Sequence, residues 1–258
     1  MVRLCVAGHG GVTVGAAEPV IEFREVTKVY RSPLGRPVRA VEGFSLAVAR
    51  GEVVGLAGPN GAGKSTVINI LLGYLRPTSG RATIAGRAPR EYIEARGVGY
   101  LSELVAIPPA WSLRSALERY AVLSGVAAAD VDGRVLGVMK LLGLEEHGRK
   151  RVRQLSKGTL QRLGLAQALL HGEDVLVLDE PAHGLDPTWT LRFRDLVGEL
   201  RRPDRAMLIV SHNLDELERT ADRVAIMHRG QLRRLVEIDT GNPSLERHFR
   251  EVTADGVV

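Results

Sequence analysis

Gly58-Pro59-Asn60-Gly61-Ala62-Gly63-Lys64-Ser65, followed by Thr66, fits G-x-x-x-x-G-K-[ST]. In such a loop the glycines let the backbone wrap tightly, so that successive N–H groups point at phosphate oxygens. A helix opening at the end of the loop adds its positive dipole end. Lys64 is placed to reach terminal phosphates, and the Ser65 hydroxyl to ligate a hard divalent cation. A chance match of this pattern occurs on the order of once in a hundred chains of this composition. One of only five lysines, in a chain that otherwise uses arginine, stands at the required place. The loop predicts nucleotide binding.

A second constellation lies downstream. Val175-Leu176-Val177-Leu178 is a buried-strand run, and the carboxylates Asp179 and Glu180 emerge at its C-terminal edge, where open parallel sheets bind ligands. Asp179 suits Mg²⁺, opposite Ser65. Glu180 suits the polarisation of an attacking water as general base. Taken alone the pair reads equally as an acidic turn after a strand; the phosphate loop makes the catalytic reading the stronger.

The elements that must hold these groups follow from hydrophobic period. Strand signals occur at Val20–Val26, Phe44–Val48 and Val53–Ala57, then a helix from Lys64 to Gly73, then strands near Ala82–Ala85 and Val98–Leu101. From Leu113 to Leu170 the apolar spacing is helical, with a helix from Ser156 to His171. Strand and helix alternate again through Val175–Leu178, Leu191–Leu200, Ala206–Val210, Leu214–Thr220 and Val224–Met227. That alternation predicts an α/β fold with a parallel sheet flanked by helices and a helical insert at about 104–170.

The bulk properties are those of an ordinary globular chain: 258 residues, 45% hydrophobic and 25% charged. No apolar run approaches the roughly 18 residues of a membrane span, so any membrane role falls to a partner. Residues 1–19 read as a flexible tail, and the lone Cys5 within it rules out a disulfide framework. The net charge of +5 comes from scattered arginines, 30 of the 35 basic residues, with no nucleic-acid-binding motif. A solvated arginine-rich surface is the better reading, and no nucleic-acid partner is expected.

Together these segments resemble the nucleotide-binding domain of ATP-binding cassette (ABC) transporters, over about Val20 to Val252. The resemblance implies a P-loop NTPase core with an N-terminal antiparallel β subdomain and the helical subdomain inserted, ending in a short tail at 253–258. It implies ATP and Mg²⁺ as ligands. Leu155-Ser156-Lys157-Gly158-Thr159, with Gln161 and Arg162 after it, looks like the family's L-S-G-G-Q signature, departing at Lys157 and Thr159. Ser156 also suits a helix N-cap, and both roles are compatible. Ser156 and Gly158 of one subunit would touch the γ-phosphate held by the other, in a head-to-tail dimer that sandwiches two ATP molecules. Tyr30 is placed like the aromatic that stacks on adenine, with an ordinary core or edge-strand tyrosine as the competing reading. Gly184-Leu185-Asp186 resembles the loop that couples the two sites, and Ser211-His212 the switch histidine. Glu103 stands where the family usually has a glutamine; it keeps an oxygen for Mg²⁺ but loses the amide donor.

What this implies is an ATPase, with Lys64, Glu180 and His212 in catalysis. It would pair with a second cassette as a homodimer and with a separately encoded membrane permease, cytoplasmic and peripheral on the inner face of the membrane. The surface around Glu103–Trp111 and the helix from Leu113 is the expected docking site for that permease, with Ile107-Pro108-Pro109-Ala110-Trp111 as its apolar docking edge. The signature Lys157, Glu103 and a short helix around Leu245–Val252 resemble bacterial export-type subunits. The alternative is a non-transport cassette acting on a soluble, DNA or ribosomal partner.

Overall fold

The computed structural model describes residues 19–31, 35–239 and 244–254. Along the chain come β1 (Ile21–Tyr30), β2 (Val38–Val48), β3 (Val53–Ala57), α1 (Lys64–Leu71), β4 (Ser79–Ile84) and α2 (Pro89–Arg96). Next are β5 (Gly99–Leu101), α3 (Leu113–Leu123), α4 (Val131–Leu141), α5 (Lys157–Leu169), β6 (Val175–Asp179) and α6 (Pro187–Leu200). The order closes with β7 (Ala206–Val210), α7 (Leu214–Thr220), β8 (Arg223–His228), β9 (Gln231–Glu237) and α8 (Leu245–Ala254). These elements form two compact units, one from residues 1–95 and 201–258, the other from 96–200. The expected tail at 1–19 lies outside the described residues apart from Pro19. At the other end residues 253 and 254 continue α8.

In the first unit β1 is the middle strand of an antiparallel sheet, between β2 and β4. Phe23 and Phe44 meet edge to face at 5.3 Å in its core. Apolar alternation stops near Val26 because Glu25 takes a left-handed conformation (φ 48°) and the register shifts there. Ser45 holds the bulge, accepting from the Glu25 N–H at 2.9 Å and donating to its carboxylate at 2.8 Å. Past the bulge β1 continues to Tyr30, with Thr27 and Lys28 interrupting the apolar pattern that a periodicity reading follows.

The same unit contains a parallel set in which β3 lies between β7 and β8, with Val53 opposite Met207 and Leu56 opposite Ala225. All five residues of β3 are buried, which explains its continuous apolar sequence. Helix α7 packs so closely on β3 that a Cβ at Gly55 would lie 3.1 Å from Leu217. Arg223 of β8 is 2.5 Å from Glu52, both side chains largely enclosed, and also donates to the Ala47 carbonyl. That ion pair ties β8 to the turn that leads into β3. The outermost strand, β9, runs antiparallel to β8.

The second unit pairs β5 and β6 in parallel, Gly99 opposite Leu176 and Leu101 opposite Leu178. Between them lie α3, α4, two 3₁₀ turns and α5, the helical stretch expected from the sequence. Helix α5 sits directly on β5 because two glycines open the way. A Cβ at Gly99 would lie 2.4 Å from the Ala168 carbonyl oxygen, and one at Gly164 would lie 2.6 Å from Val105.

Candidate functional site

The first unit carries the phosphate loop, between buried β3 and α1. Gly61 and Gly63 have φ of 79° and 107°, the left-handed region that favours glycine. A Cβ at Gly63 would lie 2.4 Å from the Ala40 carbonyl oxygen, and one at Gly58 would lie 2.6 Å from that of Met227. The loop is thus braced from behind by β2 and the end of β8. Gly230, in the β8–β9 turn, donates to the Ala62 carbonyl at 2.9 Å and accepts from the Glu42 N–H at 2.8 Å. This bracing carries no motif in the sequence. Lys64 donates to the carbonyls of Gly58 at 2.6 Å and Pro59 at 3.3 Å, which holds its ammonium within the loop. Gly63 caps α1 without a side-chain hydrogen bond, and no acidic residue stands in the first turn. The helix therefore offers its N–H groups and dipole to an anion. Asn60, Gly61 and Ser65 are exposed, Pro59 and Thr66 half-buried, and Ala62 buried. His212, in the same unit, is exposed directly after β7; Asn213 beside it caps α7 by accepting from the Glu216 N–H.

The second unit carries the carboxylate strand and the signature segment. Asp179 ends β6 and Glu180 follows, both 8% exposed. Glu180 adopts φ 50°, a conformation that costs a non-glycine residue about 1–2 kcal/mol and that functional sites often retain. Its carbonyl accepts from the buried Gln161 amide at 3.0 Å and from the His183 N–H at 3.0 Å. Gln161 also donates to Pro181. Gln161, just after the signature segment, thus fixes the turn that carries the carboxylate, a tertiary role its sequence position does not reveal. Ser156 caps α5, accepting from the Thr159 N–H at 3.2 Å, and its hydroxyl lies 2.8 Å from that of Thr159. A Cβ at Gly158 would lie 3.1 Å from the Gly184 carbonyl oxygen. Asp186 accepts from the Trp189 N–H at 2.9 Å and closes the first turn of α6.

The ABC transporter family model matches residues 41–183, more than half of the chain. The chain belongs to the ABC transporter family. An uncharacterised ABC transporter ATP-binding protein of Synechocystis is 36% identical over 217 residues, 83% of this chain and 61% of that protein. The bacitracin transport ATP-binding protein BcrA of Bacillus licheniformis is 32% identical, over 85% of this chain and 70% of its own length. The chain thus spans about three fifths of the first of these relatives. A solved structure of an ATP-binding subunit of an ABC transporter superposes with a TM-score of 0.81 at 26% identity, over 91% of this chain and 99% of that one.

Other positions in this ABC cassette are less enclosed. Tyr30 ends β1 at 41% exposure, with the Lys28 ammonium 5.6 Å from its ring centroid. Glu103 is exposed just after β5. Along the expected docking edge Pro108, Pro109 and Ala110 are exposed. Ile107 is buried, while Trp111 stacks edge to face on Tyr120 and lies 4.8 Å beneath the Arg119 guanidinium. Trp111 also accepts a backbone bond from Val152. The apolar side chain that stands out there is Leu104, 81% exposed.

Proposed function

We propose that this chain is the ATP-binding and ATP-hydrolysing subunit of a transporter, driving a separately encoded membrane permease through ATP-dependent pairing of two cassettes. The observation that carries the reading is the braced phosphate loop, with the Lys64 ammonium held at its carbonyls and an uncapped, acid-free helix start behind it. Lys64 and the phosphate loop from Gly58 to Thr66 bind the triphosphate, its N–H groups donating except at Pro59, and Tyr30 stacks on the base. Ser65, Asp179 and Glu103 offer oxygen donors, the class that suits Mg²⁺. Among the described residues no cluster of three or more His, Cys, Asp or Glu side chains forms a metal cage. Each of Ser65, Asp179 and Glu103 is an oxygen donor of the kind that a cation shared with phosphate oxygens takes. Bound there, Mg²⁺ supplies neutralisation of triphosphate charge.

Glu180 accepts a proton from the attacking water, and its strained turn, held by Gln161, fixes the carboxylate's direction. His212 donates to the γ-phosphate. Ser156 and Gly158 bind the γ-phosphate held by the second copy, with the N-terminus of α5 aimed at it, and Asp186 lies on the loop that couples the two sites. Among the described residues no helix is long and apolar enough to cross a membrane; in this reading the permease moves the cargo. The signature Lys157 and Glu103 favour an exporter, at the cytoplasmic face of the membrane.

Tagged Glu180→Gln, expressed in the native host with ATP, tests this. Loss of the general base slows hydrolysis by about 10² or more and holds the closed pair. Recovery of a polytopic membrane protein in near-equal amount from solubilised membranes is the expected outcome. Recovery of only soluble, nucleic-acid or ribosomal partners would overturn the transport reading.

A further inference from the structure

Helix α5 starts with a cation. Lys157 occupies its first position, and no acidic residue follows in the first turn. A positive side chain at a helix N-terminus opposes the dipole, so its placement there needs another source of favourable contact. The structure supplies one on the segment after Glu180. The Lys157 stem lies across Gly184, where an added Cβ would come within 2.8 Å of both Cδ and Cε. Gly184 has φ 79°, so backbone conformation and the lysine stem both select glycine. At the end of the stem, Lys157 Nζ lies 2.6 Å from His183 Nε2. An ammonium has no lone pair, so it donates and the ring accepts at Nε2. Beneath this bond Gly158 packs on the Gly184 carbonyl. Lys157 is also one of the places where this chain departs from the signature pattern, and here it touches His183.

We propose that Lys157 is a positioning residue: with His183 it clamps the Gly184-Leu185-Asp186 loop onto the N-terminus of α5. Its effect on turnover rests on the ATPase reading above, because that loop is the one assigned to coupling two sites. The two residues are 26 apart in sequence, so the clamp joins the segment that would reach the partner's phosphate to the segment that carries Asp186. Movement of either is then felt by the other.

Hydrogen exchange on the 258-residue chain tests the clamp without nucleotide. Lys157→Met and His183→Ala are each expected to raise exchange across Leu185–Trp189 by about tenfold, and the double variant no further than either single one. His183→Gln, whose side-chain carbonyl accepts from the same ammonium, should stay within about twofold of wild type. Exchange in the second half of α5 should not move in any variant, which separates a loosened loop from a loosened unit. Turnover is the second reading: kcat should fall about fivefold in Lys157→Met while KM for ATP stays within about twofold. Unchanged loop exchange in Lys157→Met, or additive effects in the double variant, would overturn the clamp. Loosened exchange with unchanged kcat would overturn its role in turnover. A wild-type chain that hydrolyses no ATP refutes the ATPase reading instead, and the exchange result still decides the clamp.

Discussion

His147, in the 3₁₀ turn after α4, shows how a single titratable group shapes stability here. It is half-buried, and its ring Nδ1 is enclosed without a hydrogen-bond partner. Burial pushes its pKa below the ordinary 6.5, and the nearby cations Lys150 and Arg162 push the same way against weaker support from Glu146. The unfolded chain therefore takes up a proton that the folded one refuses. Above the ordinary value both states are neutral and His147 contributes nothing. As pH falls through it, stability is lost until the folded form also titrates. Thermal melts from about pH 7.5 down to about pH 5.5 should show a smaller drop for His147→Gln than for wild type. Equal drops in the two proteins would mean that other groups set the acid limb. Arg162, which raises this cost, is itself held by the Leu142 and Gly143 carbonyls and by the Trp189 face at 4.2 Å.

At the scale of elements, the phosphate loop depends on a turn that no motif advertises. Gly230 bonds both Ala62 of the loop and Glu42 of β2, and an added Cβ would lie 2.9 Å from the Ala40 carbonyl oxygen. Gly230→Ala should push the β8–β9 turn off β2 and slacken the loop, lowering ATP affinity by about tenfold with a stability loss of about 1–3 kcal/mol. Gly86→Ala is the control. That residue has a similar φ of 75°, but among the described residues nothing lies within 4 Å of its Cβ position. It should lose stability through backbone strain alone, with nucleotide affinity unmoved in a titration. Equal affinity losses in both variants would refute the brace. The same contrast explains what the sequence could reveal. Strands such as Val53–Ala57 and Ala206–Val210 were legible to the residue because burial on both faces leaves an unbroken apolar run. Helix α2, which buries only Tyr92, and edge strand β9, with Arg233 and Arg234 amid its apolar residues, left no such trace. Motif residues were legible because phosphate and Mg²⁺ chemistry constrains their types and spacing. The Gln161 bonds, the Gly230 brace and the Lys157–His183 contact are tertiary, and spacing along the chain is silent about them.

For the whole molecule, the proposed pairing makes a claim that no single-chain property can satisfy: each ATP is completed by two copies. A symmetric dimer uses the same surface on both subunits, so each site takes its phosphate loop from one copy and its signature segment from the other. Lys64→Ala destroys the loop but leaves α5 and Ser156 intact. Ser156→Phe fills the signature turn but leaves the loop intact. Either variant alone then forms dimers with no complete site. Mixed in equal amounts, random pairing makes about half of the dimers hybrid, each with one complete and one doubly broken site. Activity should therefore return from near zero to about a quarter of the wild-type rate, rising with protein concentration as pairing does. Wild-type turnover in Ser156→Phe alone would show that the site is complete within one chain. A mixture that stays inactive, with both variants folded and Ser156→Phe still binding ATP, would mean that the two halves do not meet across a dimer. The dependence on concentration separates these cases from a trace of contaminating ATPase, whose rate scales linearly with the amount added.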